Sequence, residues 1–363
     1  MGDHRSRLTR RSMLAGTGAM IALTTGARAL AGQPASSQAP SSRPLPPPWR
    51  AMTPLPLAVQ EIYPAVHQGR IHVAGGIMAE GMMAGEGQIA GATARHVSWA
   101  SGEDSWREEA PLPSARHHPN LVSAGGNLLS LGGFLTRAGG LDWTMTDQTL
   151  AFDAENDAWT EGPAAPEPHG ETVCVAVGNI VHVIGGRTPK GEANMTWNDH
   201  VDSDRHLVLD AAAGTWERAA PAPTRRNSAA GALLDGAAHV AGGRTVEGGN
   251  VRVHEVWDTA EDRWRTAAPV PEVPYGGQGG LAAAVTGGRL VAMGGEYFAD
   301  GGGVYANVWI YDPSTDEWQA GPDMLTPRHG LGAVAIGETL YAIGGAVRAG
   351  GDGTSSLVEA LVL

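Results

Sequence analysis

Five short polar stretches carry the side chains best equipped for chemistry: Arg116-His117-His118, His169-Gly170-Glu171, Arg225-Arg226-Asn227, Tyr275 with Gln278, and Arg328-His329. Each lies ahead of an apolar run, and Arg116, His169, Arg226 and Arg328 fall at equivalent places. A guanidinium fork grips a carboxylate or sulfate through two parallel hydrogen bonds. Gathered at one end of a molecule, these groups would form a pocket for an anionic or polyhydroxylated ligand. Used singly, each arginine would instead tie neighbouring segments together through backbone carbonyls. Arg187, Arg244 and Glu296 form a second set, each directly following a glycine pair, with Tyr297 beside the glutamate. Glu296 is the one acidic residue of that set and is expected to face the arginines. It is a candidate general base with a pKa set by its neighbours, or else half of a structural ion pair.

Metal chemistry has weaker footing. His200, Asp202, Asp204 and His206 alternate, so on a strand they would project to one side. The spacing matches no specific metal motif and suits a solvated hairpin tip equally well. His117 and His118 would point to opposite faces of a strand, whereas His117, His169 and His329 are free to converge. Met78, Met82 and Met83 offer thioethers that favour copper(I), or an adaptable apolar lid over a pocket. There is no Walker loop, no G-x-S-x-G elbow, no H-E-x-x-H and no cysteine cluster. No metal or cofactor is therefore assigned.

What positions these groups is a repeat. Glycine pairs recur at 75–76, 132–133, 185–186, 242–243, 294–295 and 344–345, spaced 50 to 57 residues apart, each after a short apolar run. Tryptophans follow at 106, 159, 216, 264 and 318. In one unit, Gly330–Ile336 reads as a strand, Gly337-Glu338 as a hairpin turn, and Thr339–Ile343 as the returning strand. In the unit before it, Tyr305–Asp312 alternates as a third strand and Glu317-Trp318-Gln319 begins a fourth. Gly301-Gly302-Gly303 reads simply as flexible loop. Four antiparallel strands, a to d, make a small sheet that must stack on its neighbours to bury both faces. With a innermost, the b–c and d–a connections share one face of the array, and both polar sets above lie in them.

The order Gly-Gly, aromatic-Asp strand end, Trp and Pro-x-Pro resembles the kelch repeat over nearly all of residues 49–363. The fifth unit, with Gly294-Gly295, Val308-Trp309-Ile310-Tyr311-Asp312 and Trp318, carries the resemblance best. It implies an all-β fold, a β-propeller. The chain ends one strand after its sixth glycine pair, while Trp49-Arg50-Ala51-Met52-Thr53-Pro54 matches the segments at Trp106 and Trp264. Six blades of four strands are expected, closed by an N-terminal strand, which removes exposed sheet edges. In kelch relatives, arginines at the place of Arg116, Arg226 and Arg328 often line the ligand pocket. Copper oxidases similar to galactose oxidase need a Cys–Tyr crosslink, for which Cys174 in an inner strand has no matching tyrosine motif. N-acetylneuraminate epimerases carry a Gly-Glu that Gly295-Glu296 resembles, without the arginine that would follow it.

Residues 1–31 read as a twin-arginine signal peptide: Arg10-Arg11, an apolar stretch to Ala27 too short to span a bilayer, and Ala29-Leu30-Ala31. Residues 32–48 read as a Pro/Ser-rich linker and 49–363 as one propeller domain. Export to the periplasm or the medium is expected. Without residues 1–31 the chain has 20 basic and 37 acidic side chains, a net charge of −17 that disfavours nucleic acid and anionic lipid. Cys174 is the only cysteine, so no internal disulfide forms. The expected protein is a monomer that binds a small anionic or carbohydrate-like ligand, or an envelope protein, at its Arg/His rim. An enzyme acting on sugar acids is the alternative, and a metal-dependent oxidase a further one.

Overall fold

A computed structural model describes residues 49–78, 91–136, 143–247 and 249–363. The signal peptide, the linker and Met82-Met83 lie outside the described residues. Among the described residues five four-stranded antiparallel sheets and one of five strands follow one another along the chain, with smaller two- and three-stranded ribbons beside them. The first consists of Ala65–His67, Arg70–Ala74, His96–Ala100 and Arg107–Glu109. The fifth consists of Gly279–Thr286, Arg289–Tyr297, Val308–Asp312 and Glu317–Ala320, with the short strand Gly303–Val304 added beside the second. The sixth holds Gly332–Ile336, Thr339–Ile343 and Val358–Val362, and its fourth strand is Arg50–Ala51 from the other end of the described chain. Arg50 pairs with Ala360 and Ala51 with Glu359. Among the described residues the only helices are two short 3₁₀ turns, and no helix is long and apolar enough to cross a membrane.

The apolar residues form layers between sheets. Leu129 and Leu131 pack with Val181 and Leu207 between the second and third sheets, and Val291 and Met293 with Leu340 and Leu361 between the fifth and sixth. Ile71 and Val97 of the first sheet pack with Tyr341, Ile343 and Val358 of the sixth. Burying each such side chain is worth about 1.5–3 kcal/mol, so the layers hold the sheets in place.

Two repeated bonds cross from sheet to sheet. The second glycine of every pair donates its N–H to a carbonyl in the stretch that enters the next sheet: Gly76 to Arg116, Gly133 to His169, Gly186 to Arg226, Gly243 to Gln278 and Gly295 to Arg328, each at 2.9–3.0 Å. The sixth, Gly345 to Val59 at 2.9 Å, joins the last sheet to the first. Only glycine fits there. Gly344 and Gly345 have φ of +59° and +90°, and a Cβ on Gly344 would lie 2.6 Å from the Val59 carbonyl oxygen. Each repeat tryptophan also donates its indole N–H to a carbonyl before the sheet it flanks: Trp106 to Thr53, Trp159 to Ala110, Trp216 to Pro163, Trp264 to Ala220 and Trp318 to Ala268. Trp49 does the same to Pro322 at 2.9 Å, and so occupies the sixth place of the series.

Three sheets contain a buried histidine pair bridging strands b and c: His72 with His96, His182 with His206, and His239 with His254, at 2.8–2.9 Å between ring nitrogens. The second ring of each meets aromatic residues of the following sheet, as His254 meets Tyr311 and Trp318.

Candidate functional site

At one point in each repeat the chain turns through a left-handed residue at or just before the start of strand a. These residues are Glu61, His118, Glu171, Ser228, Gly280 and Gly330, with φ between +48° and +66°. Backbone bonds link five of them into a belt: His118 N–H to Glu61 O, Glu61 N–H to Gly330 O, Gly330 N–H to Gly280 O and Gly280 N–H to Ser228 O; Glu171 joins it through its side chain, which accepts from Ser228 Oγ. Four members carry polar side chains and two carry none. Gly330 has to lack one, because a Cβ there would lie 2.8 Å from Glu61 Oε1.

A connected set of charges is built on this belt. His118 Nε2 is 2.9 Å from Glu61 Oε2. His329 Nδ1 lies 3.6 Å from Glu61 Oε1 and 3.4 Å from Glu296 Oε2. Arg244 pairs directly with Glu296 and lies 3.8 Å from Glu171, which also accepts from Ser228 and, at 3.3 Å, from Arg187. Burial by itself would raise the Glu61 carboxyl, but paired His118 and nearby His329 and Arg244 hold it well below the usual carboxylate range. Glu171 is likewise lowered, against its burial, by Arg187, His118 and Arg244. Desolvation works against the Arg244 cation too, and Glu171, Glu296 and Glu61 outweigh it and raise its pKa further.

Glu296 is held from every side. Its residue pairs with Gly279 on one neighbouring strand and Val304 on the other. Its carbonyl accepts from Asn250 Nδ2 at 2.7 Å, and its carboxylate accepts the Gly350 N–H at 2.8 Å. The glycine loop at Gly350 is clamped in turn: His329 Nε2 is 3.1 Å from the Gly350 carbonyl, and Gln60 donates to Gly351 O and Thr354 Oγ1 at 2.9 Å. The Gln60 side-chain oxygen has no partner among the described residues.

These groups floor a cavity of about 460 Å³, within the range of about 300–1,000 Å³ typical of small-molecule sites. Glu61, His118, Arg244, Glu296 and His329 line it, together with the aromatic rings of Trp143, Trp197 and Tyr297. Arg187 lies behind the tryptophan wall, 3.2 Å from the Trp197 ring centroid, and donates to the Trp197 carbonyl at 2.8 Å.

The polar stretches divide accordingly. Tyr275, His329, Arg244 and Glu296 line the cavity, while Glu171 and Arg187 lie beside it in the charge network. Arg116, Arg226 and Arg328 do not face it, contrary to the rim expectation. All three are buried and turn back into their own sheets. Arg226 bonds Glu255 at 2.6 Å and Val240 O at 3.0 Å. Arg328 donates to Gly344 O and Leu357 O and lies 3.2 Å from the Glu359 carboxylate. Arg116 bonds Gln148 at 2.6 Å. The physical reason is supply: the end of strand b and the start of strand c present carbonyls and carboxylates nearer than any ligand. Glu296 correspondingly faces Arg244, not these three. His169 is buried away from the cavity, and desolvation lowers it to about 4. His117 and His118 are not on opposite faces. The left-handed turn at His118 brings their Nδ1 atoms to 2.6 Å, with His117 stacked on Phe134 at 4.9 Å.

The alternating set at 200–206 disperses: His200 is 3.2 Å from Asn194, Asp202 accepts from Asn227, Asp204 pairs with Arg225, and His206 with His182. Among the described residues no group of three or more His, Cys, Asp or Glu has metal-holding geometry. Cys174 sits in an innermost strand, where burial pushes its thiol up to about 12. Glu61 emerges only in the fold, and His118, part of the Arg116–His118 stretch in the sequence, is set beside it by the left-handed turn. The signal for them is the alignment of all six belt positions, including the stretch before the first sheet.

The KLHDC2/KLHL20/DRC7 Kelch-repeats domain matches residues 120–345. The chain belongs to the kelch-repeat family, and its fold is an all-β kelch-type propeller. It is 28% identical over 251 residues to Kelch-like protein terF of Aspergillus terreus, covering 67% of this chain and 52% of that protein. It is 26% identical to human Kelch-like protein 34 over 66% of this chain and 36% of that one. It thus spans about half or less of these curated relatives. A solved structure, "Structure of YjhT", superposes with a TM-score of 0.68 at 14% identity, covering 86% of this chain and 95% of that one.

Proposed function

We propose that this protein is a six-bladed, ring-closed kelch propeller that binds a small polyhydroxylated, carbohydrate-like ligand in the cavity over Glu61 and Glu296. The observation that carries the proposal is the convergence of paired carboxylates, imidazoles and one guanidinium with aromatic rings in the lining of one cavity. Sugars present a ring of hydroxyls at their edges and an apolar face, and such a lining matches both. A neutral polyol suits the site better than an anion. Arg244 already serves Glu296 and Glu171, so a ligand carboxylate would find no unpaired cation and would meet Glu61. Hydroxyls, by contrast, donate to carboxylate oxygens. Ring closure is supported by the Arg50–Ala51 pairing, the Gly345–Val59 bond and the Trp49–Pro322 bond. Export by the twin-arginine route rests on residues 1–31.

A thermal-shift panel of neutral sugars, sugar acids, sulfated sugars and short peptides tests the binding reading. A ligand at a hundred times its Kd stabilises by about 2.7 kcal/mol. Neutral sugars are expected to raise the melting temperature, and Glu296→Gln and Glu61→Gln to weaken the effect. A panel in which only the sugar acids or only the peptides shift melting would overturn it.

A second reading, proton transfer on such a ligand, rests on His329 lying between the Glu61 and Glu296 carboxylates. It is tested by incubating the retained sugar in deuterated water. Exchange or anomer interconversion should accelerate with the protein and slow in Glu296→Gln, and no acceleration would reduce the site to binding.

A further inference from the structure

Two large rings of the propeller face remain open to solvent although they border the polar cavity. Tyr275 is 47% and Phe298 62% exposed, and both line the cavity that Glu61 and Glu296 floor. Neither is a stray surface residue. Tyr275 has φ of +69° and Asp300 of +50°, a region that side chains avoid without compensation. The Tyr275 hydroxyl donates to Asp300 Oδ2 at 2.9 Å and so joins the two turns. The Tyr275 ring stacks on Tyr297 at 4.6 Å and 22°, and Tyr297 leans on Tyr305, whose hydroxyl is tied to the Pro274 carbonyl. The Gly301–Gly303 stretch is more than loose connection. Gly303 pairs with Tyr297, and a side chain there would collide with the Tyr297 ring. Phe298 stands 5.8 Å from the Arg244 guanidinium, where the charged floor ends.

We propose that Tyr275 and Phe298 form a second subsite that stacks on the apolar face of a second sugar ring, joined to the ring held over Glu61 and Glu296. The ligand class is then a saccharide of two or more rings, an assignment that rests on the carbohydrate reading above. The inner ring exchanges its water for carboxylates, imidazole and amide, which requires burial. The outer ring keeps its hydroxyl edge in solvent and covers only aromatic surface. That division accounts for two exposed rings, one of them held by a stacked tyrosine and an Asp300 bond, at the border of a buried polar site.

Calorimetric titration of the full chain tests this with glucose, galactose and N-acetylglucosamine against their β-1,4-linked dimers and trimers. The panel is repeated on Tyr275→Ala, Phe298→Ala and Tyr275→Phe. In the wild type a dimer should bind more tightly than its monomer by about 2- to 12-fold, the range for a stacked ring pair. That advantage should vanish in both alanine variants and persist in Tyr275→Phe, which keeps the ring. A dimer-to-monomer ratio of one in the wild type, or a ratio that the alanine variants leave unchanged, would overturn the second subsite while monomer binding upheld the first. Absence of binding by every saccharide would overturn both.

Discussion

Acid should destabilise this propeller early, and the histidine pairs determine by how much. Burial, reinforced by the facing ring, lowers His72 to about 3 and His206 to about 3; burial also lowers His96, His239 and His254 to about 4, 3 and 4. Above about pH 6.5 both folded and unfolded histidines are neutral, and the pairs have no pH-dependent effect. Below it the unfolded chain takes up protons that the fold refuses, so stability falls and levels off only near pH 3–4. Each refused proton costs about 1.4 kcal/mol per pH unit, so one pair removes at most about 4 kcal/mol between pH 6.5 and 5. The fifth sheet carries Val291 and Val308 where the fourth has His239 and His254. The double variant His239→Val with His254→Val therefore uses a combination the fold already accommodates. The Ala268 carbonyl that His254 contacts keeps its bond from Trp318. Urea unfolding between pH 7.5 and 5 should show a shallower loss in the variant, by a few kcal/mol at pH 5. Parallel curves for variant and wild type would refute the reasoning. Glu61 acts in another window: its lowered pKa gives stability that is complete above about pH 4.3 and lost only below it.

Removing residues 45–56 deletes Trp49 and the outer strand of the sixth sheet, and should abolish the cooperative melt; a truncated protein melting like the full chain would refute closure. Arg226→Met leaves Glu255 buried without its partner and should cost about 3–5 kcal/mol in denaturant unfolding. Where the protein remains folded, ligand affinity should stay within twofold, since Arg226 lies outside the cavity. Arg244→Met leaves Glu296 and Glu171 short of a cation and should weaken ligand binding at least tenfold, read by calorimetry. Gly330→Ala places a methyl group against Glu61 Oε1 and should lower both stability and ligand affinity.

Much of the fold was legible because the repeat leaves marks at fixed places. The glycine pairs are obligatory at positive φ beside a carbonyl of the next sheet, and the tryptophans bond across the same seam. Trp49 could therefore be matched to its five counterparts by its flanking residues alone. The site was legible in part for the same reason: Arg244 and Glu296 follow glycine pairs, and the backbone there delivers them to the cavity. Arg116, Arg226 and Arg328 misled because position in the repeat places a Cα, whereas a long guanidinium goes to the nearest acceptors. Glu61 was hidden by conformation, as was the direction in which His118 points. A left-handed turn in a non-glycine residue leaves no trace in composition, and it is that turn which directs both side chains to the belt.

The central claim is that the Glu61–Glu296 cavity is where a carbohydrate-like ligand binds. A crystal structure of the protein soaked with the saccharide that most raises its melting temperature tests it most directly. A sugar ring should lie in this cavity among Trp143, Trp197 and Tyr297, with hydroxyls on the Glu61 and Glu296 carboxylates. A sugar bound elsewhere on the propeller, with this cavity holding only water, would contradict it.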